Sequence, residues 1–393
     1  MSEAAGEIWS ASRRWRSLTA VISAAGAAGL TFGLTIPLLA LRLESEGVSG
    51  TWIGINAGAA SLAILITGPF VPRVLDRLGV LPAMFLSVLA VVALILVLPL
   101  WTGVGPWTFL RFLIGACVAV HWIISETWIL TVAKKENRGR VVAIYMIVMS
   151  LGFAAGPLMI AFIGIEGWLP FLVSAGMLAL SAVPLLLAID CAPRLPRRSP
   201  AAFMIAFRTA PLIISAAVLA GFTDAALISL LPVYGLRIGM TAASAALILS
   251  VLLMGNAALQ FPLGWLADRY NTRNLIIACG AVFLICPLLI PYVLASSLWQ
   301  WPLLVIWGAV AIGIYTLALT ELGARFEPAA LAGANAAVVA LYELGSVVGP
   351  LAGGAGMDAF GPRGLMWVLV LAAGIFLALA LLRSRTQRGT SKI

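Results

Sequence analysis

The chain has 393 residues, of which 62% are hydrophobic and only 10% charged, with a formal net charge of +9. Soluble domains carry about 45–50% apolar and about 25% charged residues, so a water-solvated globule of this length is excluded. Disorder needs low hydrophobicity and high charge, and is excluded with it. The chain must be solvated largely by lipid, where each crossing takes about 20 residues.

The first residues are polar, and Arg13, Arg14 and Arg16 then precede an apolar run from Leu18 to Leu41. A cleavable signal has an apolar core of only about 7–15 residues, so this run reads as a retained first span. Apolar stretches recur at 16–42, 50–72, 79–101, 106–133, 138–164, 167–190, 209–238, 241–266, 272–296, 300–324, 328–355 and 361–383. Their length predicts helices, since barrel strands need only about 10 alternating residues. The expected fold is all-α and membrane-integral, with twelve transmembrane helices. The longest break, 191–208, holds Pro193, Pro196 and Pro200 among arginines and divides six spans from six. It predicts an N-terminal half at 1–190, a cytoplasmic linker at 191–208 and a C-terminal half at 209–393.

With the N-terminus placed in the cytoplasm, twenty basic residues fall on the cytoplasmic side and three, Arg42, Arg237 and Arg363, on the other. Arg111 alone lies within a span. This asymmetry is the positive-inside signature, and it puts both termini in the cytoplasm. The +9 balance is thereby topological and implies no nucleic-acid partner. Trp52, Trp101, Trp107, Trp168, Trp299 and Trp301 fall at the outer ends of spans, as an interfacial belt would. The cysteines, Cys117, Cys191, Cys279 and Cys286, form no CxxC pair and imply neither a disulfide framework nor a metal site.

The two halves repeat. Pro37 to Arg42 matches Pro232 to Arg237, and Asp76-Arg77 matches Asp268-Arg269. Glu126 matches Glu321, and Gly152-x-x-x-Gly156-Pro157 matches Gly345-x-x-x-Gly349-Pro350, all at offsets of 192–195. Two six-span halves in the same orientation are a transporter architecture, with the substrate site at the midplane between them. The loop Asp76-Arg77-Leu-Gly79, its echo Gly264-Trp-Leu-Ala-Asp268-Arg269 and Arg111-Phe-Leu-Ile-Gly115 in span four resemble the major facilitator superfamily, in a poorly characterised bacterial branch. The resemblance covers essentially the whole chain. Pro72, Val80, Leu81 and Asn271 depart from its loop motif, and Ile160 and Ala161 stand where its fifth-span antiporter motif has glycines. It implies that Asp76 and Asp268, with their neighbours Arg77, Gly79, Gly264 and Arg269, gate the cytoplasmic face, and that spans one, four, seven and ten line the cavity. Each Gly-x-x-x-Gly pair permits close helix approach, and Pro157 and Pro350 permit a bend.

Ionisable groups inside hydrocarbon are costly and mark pathways. Arg111, His121 and Glu126 lie in span four, Asp224 in span seven and Glu343 in span eleven. Arg111 and Glu126 share a stripe of span four but are about 22 Å apart along the axis, too far to pair. Asp224 has no acidic counterpart in the first half, where Gly29 stands, so it suggests coupling rather than scaffold. Desolvation favours the protonated form of a carboxylate, which is what loading and unloading a proton requires. His121 also fits a packing role, and Glu343 a structural one. Thr31, Thr35, Ser215, Thr223, Ser229, Asn256 and Gln260 are further groups able to bond a substrate.

The expected function is secondary active transport of a small molecule by alternating access, coupled to protons, with a lean to efflux antiport of amphipathic compounds. The alternatives are proton symport of a small polar nutrient and, more remotely, a transporter-like sensor. No motif of a membrane enzyme and no ATP-binding Gly-x-x-x-x-Gly-Lys-Ser/Thr occurs, so neither catalysis nor a cofactor is expected. The expected partners are the substrate, protons and the lipid bilayer. The chain is expected to act as a monomer in the bacterial cytoplasmic membrane.

Overall fold

A computed structural model describes residues 10–134, 137–192, 211–294, 298–325 and 328–390. Within them, twelve helical spans are long and apolar enough to cross a membrane. Spans one to six are Ala11–Ser45, Gly50–Leu78, Val80–Val97, Val104–Val132, Arg140–Ile163 and Leu169–Leu186. Spans seven to twelve are Leu212–Arg237, Ala242–Gln260, Thr272–Val293, Gln300–Leu322, Ala334–Phe360 and Gly364–Leu382. Leu89, Leu180 and Leu371 are each more than 60% exposed, a surface that only lipid solvates well. Most of the expected linker lies outside the described residues. The chain before it ends in a short 3-10 turn, Ile189–Cys191, and resumes helically at Pro211.

Helix starts are fixed by ordinary capping. Ser49 accepts a hydrogen bond from the backbone N–H of Trp52, Thr241 from Ser244 and Asn271 from Asn274. Two sequence expectations change at the ends. The Asp76-Arg77 pair is not in a loop: it lies in the last turn of helix Val71–Leu78, which continues span two. Pro72 sits at the start of that helix, where a missing N–H is harmless. Gly79 alone joins spans two and three, at φ +80, a conformation that favours glycine. Asp268 and Arg269 likewise end helix Ala242–Arg269 rather than forming a loop. The tight turn expected at residues 165–166 widens to 164–168, with Gly164 and Gly167 both at positive φ.

The second change concerns Trp107. It is not part of an interfacial belt but fully buried, donating from Nε1 to the Leu98 carbonyl at 2.9 Å and meeting Phe171 edge-on. Trp52, Trp101, Trp168 and Trp299 remain exposed. The four cysteines are free.

Lipid offers helices no hydrophobic reason to associate, so close packing must hold them. In the first half, spans one and five meet through Gly26, Gly29 and Gly33 against Gly152 and Gly156. A Cβ on Gly156 would stand 2.3 Å from the Gly33 backbone. In the second half, spans seven and eleven meet in the same way, with Gly345 against Val218 and Gly349 against Phe222. Pro157 lies within a continuous helix, Arg138–Ile163, and supplies no N–H to the carbonyl of Phe153. Gly33 closes on that carbonyl, with its missing Cβ position 2.4 Å from the oxygen. The glycine thus brings a Cα–H to an acceptor that the proline left unused.

Across the halves, span two lies antiparallel on span eleven. Gly50 faces Gly354, Gly54 faces Pro350 and Gly58 faces Val347. A Cβ on Gly54 would stand 2.1 Å from the Pro350 carbonyl oxygen.

Gly156→Val should lower stability by about 1–3 kcal/mol or more through overpacking. Gly176→Ala, which adds its methyl to open space, should leave stability unchanged. Thermal unfolding of both purified variants in detergent distinguishes these outcomes.

Candidate functional site

The interior polar residues form one connected group between the halves. Asp224, about 20 Å along the axis from the Arg237 end of span seven, accepts a hydrogen bond from the Tyr342 hydroxyl of span eleven. The Tyr342 ring meets Tyr315 of span ten at a centroid distance of 4.9 Å, tilted by 53°. Glu343, next to Tyr342, lies beside Ser61 of span two and within electrostatic reach of Asp224. On the first half, Trp122 Nε1 donates to Glu126 Oε1 at 2.9 Å. Tyr315 lies within electrostatic reach of both Glu126 and Glu343, carboxylates of opposite halves. Asp224, Glu126, Glu343, Tyr315 and Tyr342 all retain partial exposure although neighbouring spans surround them. They therefore line space rather than fill a sealed core.

Among the described residues no basic side chain pairs with Asp224 or Glu343. The two groups are acids held at depth with hydroxyls for company, and among the described residues no cation compensates a charge on either.

The other interior candidates stand apart from this group. Arg111 is 5% exposed, and its guanidinium has no partner among the described residues. One turn inward, Gly115 packs on the Ala60 backbone of span two. His121 is buried, with both ring nitrogens unpartnered among the described residues. Several hydroxyls named as substrate groups turn to carbonyls instead. Thr35 donates to Thr31, Thr223 to Ala220 and Ser215 to Leu212, each on its own helix. Thr31 donates to the Ser174 carbonyl of span six. A hydroxyl one turn after a carbonyl finds it at once, so these are weak ligands. Gln260 Nε2 donates to Thr316 at 3.4 Å, and Asn256 is buried.

The motif residues at the arginine-rich ends are only partly visible. Asp76 and Arg77 are both exposed. The Arg269 guanidinium stacks on the Trp265 ring at 3.9 Å. Gly264 faces open space. The Asp268 side chain lies outside the described residues.

A polar latch between the halves occurs at the opposite, arginine-poor face. Arg237, ending span seven, makes two bonds of 2.8 and 2.9 Å to the Glu44 carboxylate, ending span one. A third contact, at 3.5 Å, reaches Asp358 of span eleven. Asp358 accepts from the backbone N–H groups of Gly50 and Thr51 and from the Thr51 hydroxyl, at 2.7–2.8 Å. A carboxylate on free N–H groups at a helix start gains from both hydrogen bonds and the helix dipole. Sequence reasoning missed this latch, having counted Arg237 only as a topological charge. It also missed Tyr342 and Ser61. The one available signal was that Arg237 and Arg42 occupy equivalent repeat positions, yet only Arg237 found a carboxylate across the halves.

Two six-span bundles with acids at depth between them and a polar latch at one face define the class: a membrane transporter of two pseudo-symmetric halves. The family model of the Major Facilitator Superfamily matches residues 21–325, and the chain belongs to that superfamily. It is 29% identical over 380 residues to the uncharacterized MFS-type transporter YfkF of Bacillus subtilis, covering 90% of this chain and 92% of that one. It is 25% identical over 342 residues to the uncharacterized MFS-type transporter YcaD of Salmonella paratyphi B, covering 86% and 88%. Among solved structures it resembles a bacterial homologue of the human lysosomal transporter Spinster in an inward-facing, unoccupied conformation. That match has a TM-score of 0.73 at 16% identity, over 95% of this chain and 96% of that one. It also resembles the nucleoside transporter NupG, with a TM-score of 0.73 at 14% identity, over 94% and 98%. The chain is a multi-pass inner-membrane transporter.

Removing the latch by Arg237→Ala should shift the molecule toward opening at the arginine-poor face. Charge-assisted bonds contribute about 1.5–3 kcal/mol, so the closed-to-open ratio should fall by about tenfold or more. Spin labels at Val48 and Ile238 report this as a new, longer distance distribution. An unchanged distribution would show that the glycine seam alone holds this face.

Proposed function

We propose that the chain is a proton-coupled secondary transporter working by alternating access, with a lean to efflux antiport of amphipathic compounds. The observation that carries this is the Asp224–Tyr342 and Glu343–Ser61 pair of contacts. Two carboxylates at depth, with no cation paired to them among the described residues, are suited to a proton that arrives and leaves.

Glu343 is where proton and conformation meet. The seam between spans two and eleven runs through Gly50–Gly354, Gly54–Pro350 and Gly58–Val347 and ends inward on Ser61–Glu343. A proton on Glu343 changes the charge beside Ser61, at the inner end of the closed seam. Glu126, on the other half, faces the same space and provides a second proton site. The arginine-rich face is assigned to the cytoplasm by the positive-inside asymmetry, with both termini there. The latched face is then external. At the cytoplasmic side the paired helix ends at Asp76 and Asp268 take the complementary gating role when the molecule opens outward. The halves pivot as units, 1–190 and 209–393, on the linker between them.

The lean to efflux rests on the lining. Tyr315, Tyr342 and Trp122 supply aromatic surface, while the hydroxyls of spans one and seven are largely engaged by backbone. Such a lining suits an amphipathic compound better than a small polar nutrient, whose many hydrogen bonds would go unmet. Arg111 and His121 lie away from the acids; we assign them support of span four rather than coupling.

Asp224→Asn and Glu126→Gln should each abolish gradient-driven transport while leaving substrate exchange. Inverted vesicles with an internal pH dye, screened against a compound set, measure both. Full gradient-driven accumulation by both variants would sink the coupling assignment. Proton movement out of step with a polar nutrient, and none with amphipathic compounds, would reverse the direction of transport.

A further inference from the structure

We infer that the arginine-poor face carries a binding site for an anionic phospholipid, whose phosphate is held by Arg363 and the Tyr234 hydroxyl in a cavity of the second half. The inference is independent of the coupling reading above, because the cavity shares no residue with the interior acids.

The cavity has a volume of about 350 Å³ and lies among four span ends. Tyr234 comes from the last turn of span seven, and Pro291 and Leu294 from the end of span nine. Phe360, Pro362 and Arg363 come from the junction of spans eleven and twelve. Ligand pockets occupy about 300–1,000 Å³, and span ends are where lipid headgroups meet helices. The lining is apolar apart from two groups. Tyr234 is 1% exposed, and its hydroxyl forms no hydrogen bond with a described residue. A tyrosine this enclosed ordinarily satisfies its hydroxyl, so the group is left to an occupant of the cavity. Arg363 lies within electrostatic reach of Tyr234, with its guanidinium 5.7 Å from the Tyr292 ring.

The charge of the occupant follows from what Arg363 lacks. Of the three basic residues at this face, Arg42 pairs with Glu46, and Arg237 with Glu44 and Asp358. Arg363 has no carboxylate among the described residues. A guanidinium can only donate, and the hydroxyl beside it can donate as well, so together they suit a negatively charged acceptor.

The walls select the kind of anion. A soluble phosphate would answer Arg363 and leave Pro291, Leu294 and Phe360 facing water. A phospholipid puts its phosphate at Arg363 and its glycerol and upper acyl chains against those walls. Tyr292 and Phe360, each more than 70% exposed, extend aromatic surface beside the site. A zwitterionic headgroup would bring an ammonium in need of its own acceptor. Asp358, two residues before Phe360, is already engaged by Arg237, Gly50 and Thr51. An anionic headgroup such as phosphatidylglycerol has no such need. No covalent step is involved.

Native mass spectrometry of the purified full-length protein, delipidated in neutral detergent, counts bound lipids one at a time. The probes are phosphatidylglycerol, phosphatidylethanolamine and diacylglycerol with the same acyl chains. Arg363→Gln should weaken one phosphatidylglycerol adduct of the wild-type series by about tenfold or more, and Tyr234→Phe the same adduct by a few-fold. Arg363→Lys should keep it within a few-fold, since the charge remains and only the planar fork is lost. Adducts drawn to the arginine-rich face persist in every variant, so the difference reports this site alone. Diacylglycerol, which lacks the phosphate, should bind alike to wild type and Arg363→Gln, and excess inorganic phosphate should not displace the adduct. Tyr234→Phe keeps the buried ring and removes only the hydroxyl, so the site is tested even where Arg363→Gln does not fold. A phosphatidylglycerol series identical in wild type, Arg363→Gln and Tyr234→Phe would overturn the inference. So would an Arg363-dependent adduct formed equally well by phosphatidylethanolamine. Displacement by inorganic phosphate would make this a soluble-anion site and overturn the lipid assignment.

Discussion

Backbone meets backbone at glycine throughout this molecule, and the remaining features hang on that contact. In a bilayer the apolar side chains gain nothing by leaving lipid for one another, so helices associate only where they can approach closely and align polar backbone. The same device is used at two levels. Within each half, Gly152 and Gly156 on span five and Gly345 and Gly349 on span eleven clamp spans one and seven. Between the halves, Gly50, Gly54 and Gly58 lay span two against span eleven. The first contacts make each half a body. The second makes one face of the molecule closable.

Span eleven joins the two levels. One side of it, through Gly345 and Gly349, is fixed to span seven, while Pro350 and Gly354 meet span two across the halves. It also carries Tyr342 and Glu343 inward and Asp358 at its latched end. Glu343 and Asp358 thus lie on one continuous helix, about 22 Å apart along its axis. That is a physical basis for coupling an interior site to a surface gate, because a helix transmits displacement without needing a chain of intermediates.

The polar latch and the glycine seam differ in kind. The seam depends on shape and is insensitive to salt and charge. The latch, with Arg237 between Glu44 and Asp358, depends on ionised groups that are only partly sheltered from water. Surface ion pairs contribute little by themselves, but here two bonds to one carboxylate and three more from Asp358 to a helix start are fixed by rigid span ends. A latch of this kind is strong enough to bias a face and weak enough to release.

Hydropathy and charge order sufficed for the twelve spans, and short motifs for the repeated glycine pairs and the resemblance to the superfamily, because these are properties of consecutive residues: a bilayer demands about 20 apolar residues at a time. The acids Asp224, Glu126 and Glu343 were legible as candidates for the same reason, since each is an ionisable group in an otherwise apolar run. What they touch was not legible. Tyr342 and Ser61 look like ordinary span residues, Trp107 looks interfacial but is core, and Asp76 reads as a loop residue but ends a helix. Glu44, Arg237 and Asp358 are far apart in the chain and meet only because three helix ends converge. Local sequence decides where a helix runs and what it costs to bury each group in lipid. Only the tertiary structure decides which groups on different helices share a space, because that depends on the rotation and crossing of helices set by glycine contacts elsewhere along them.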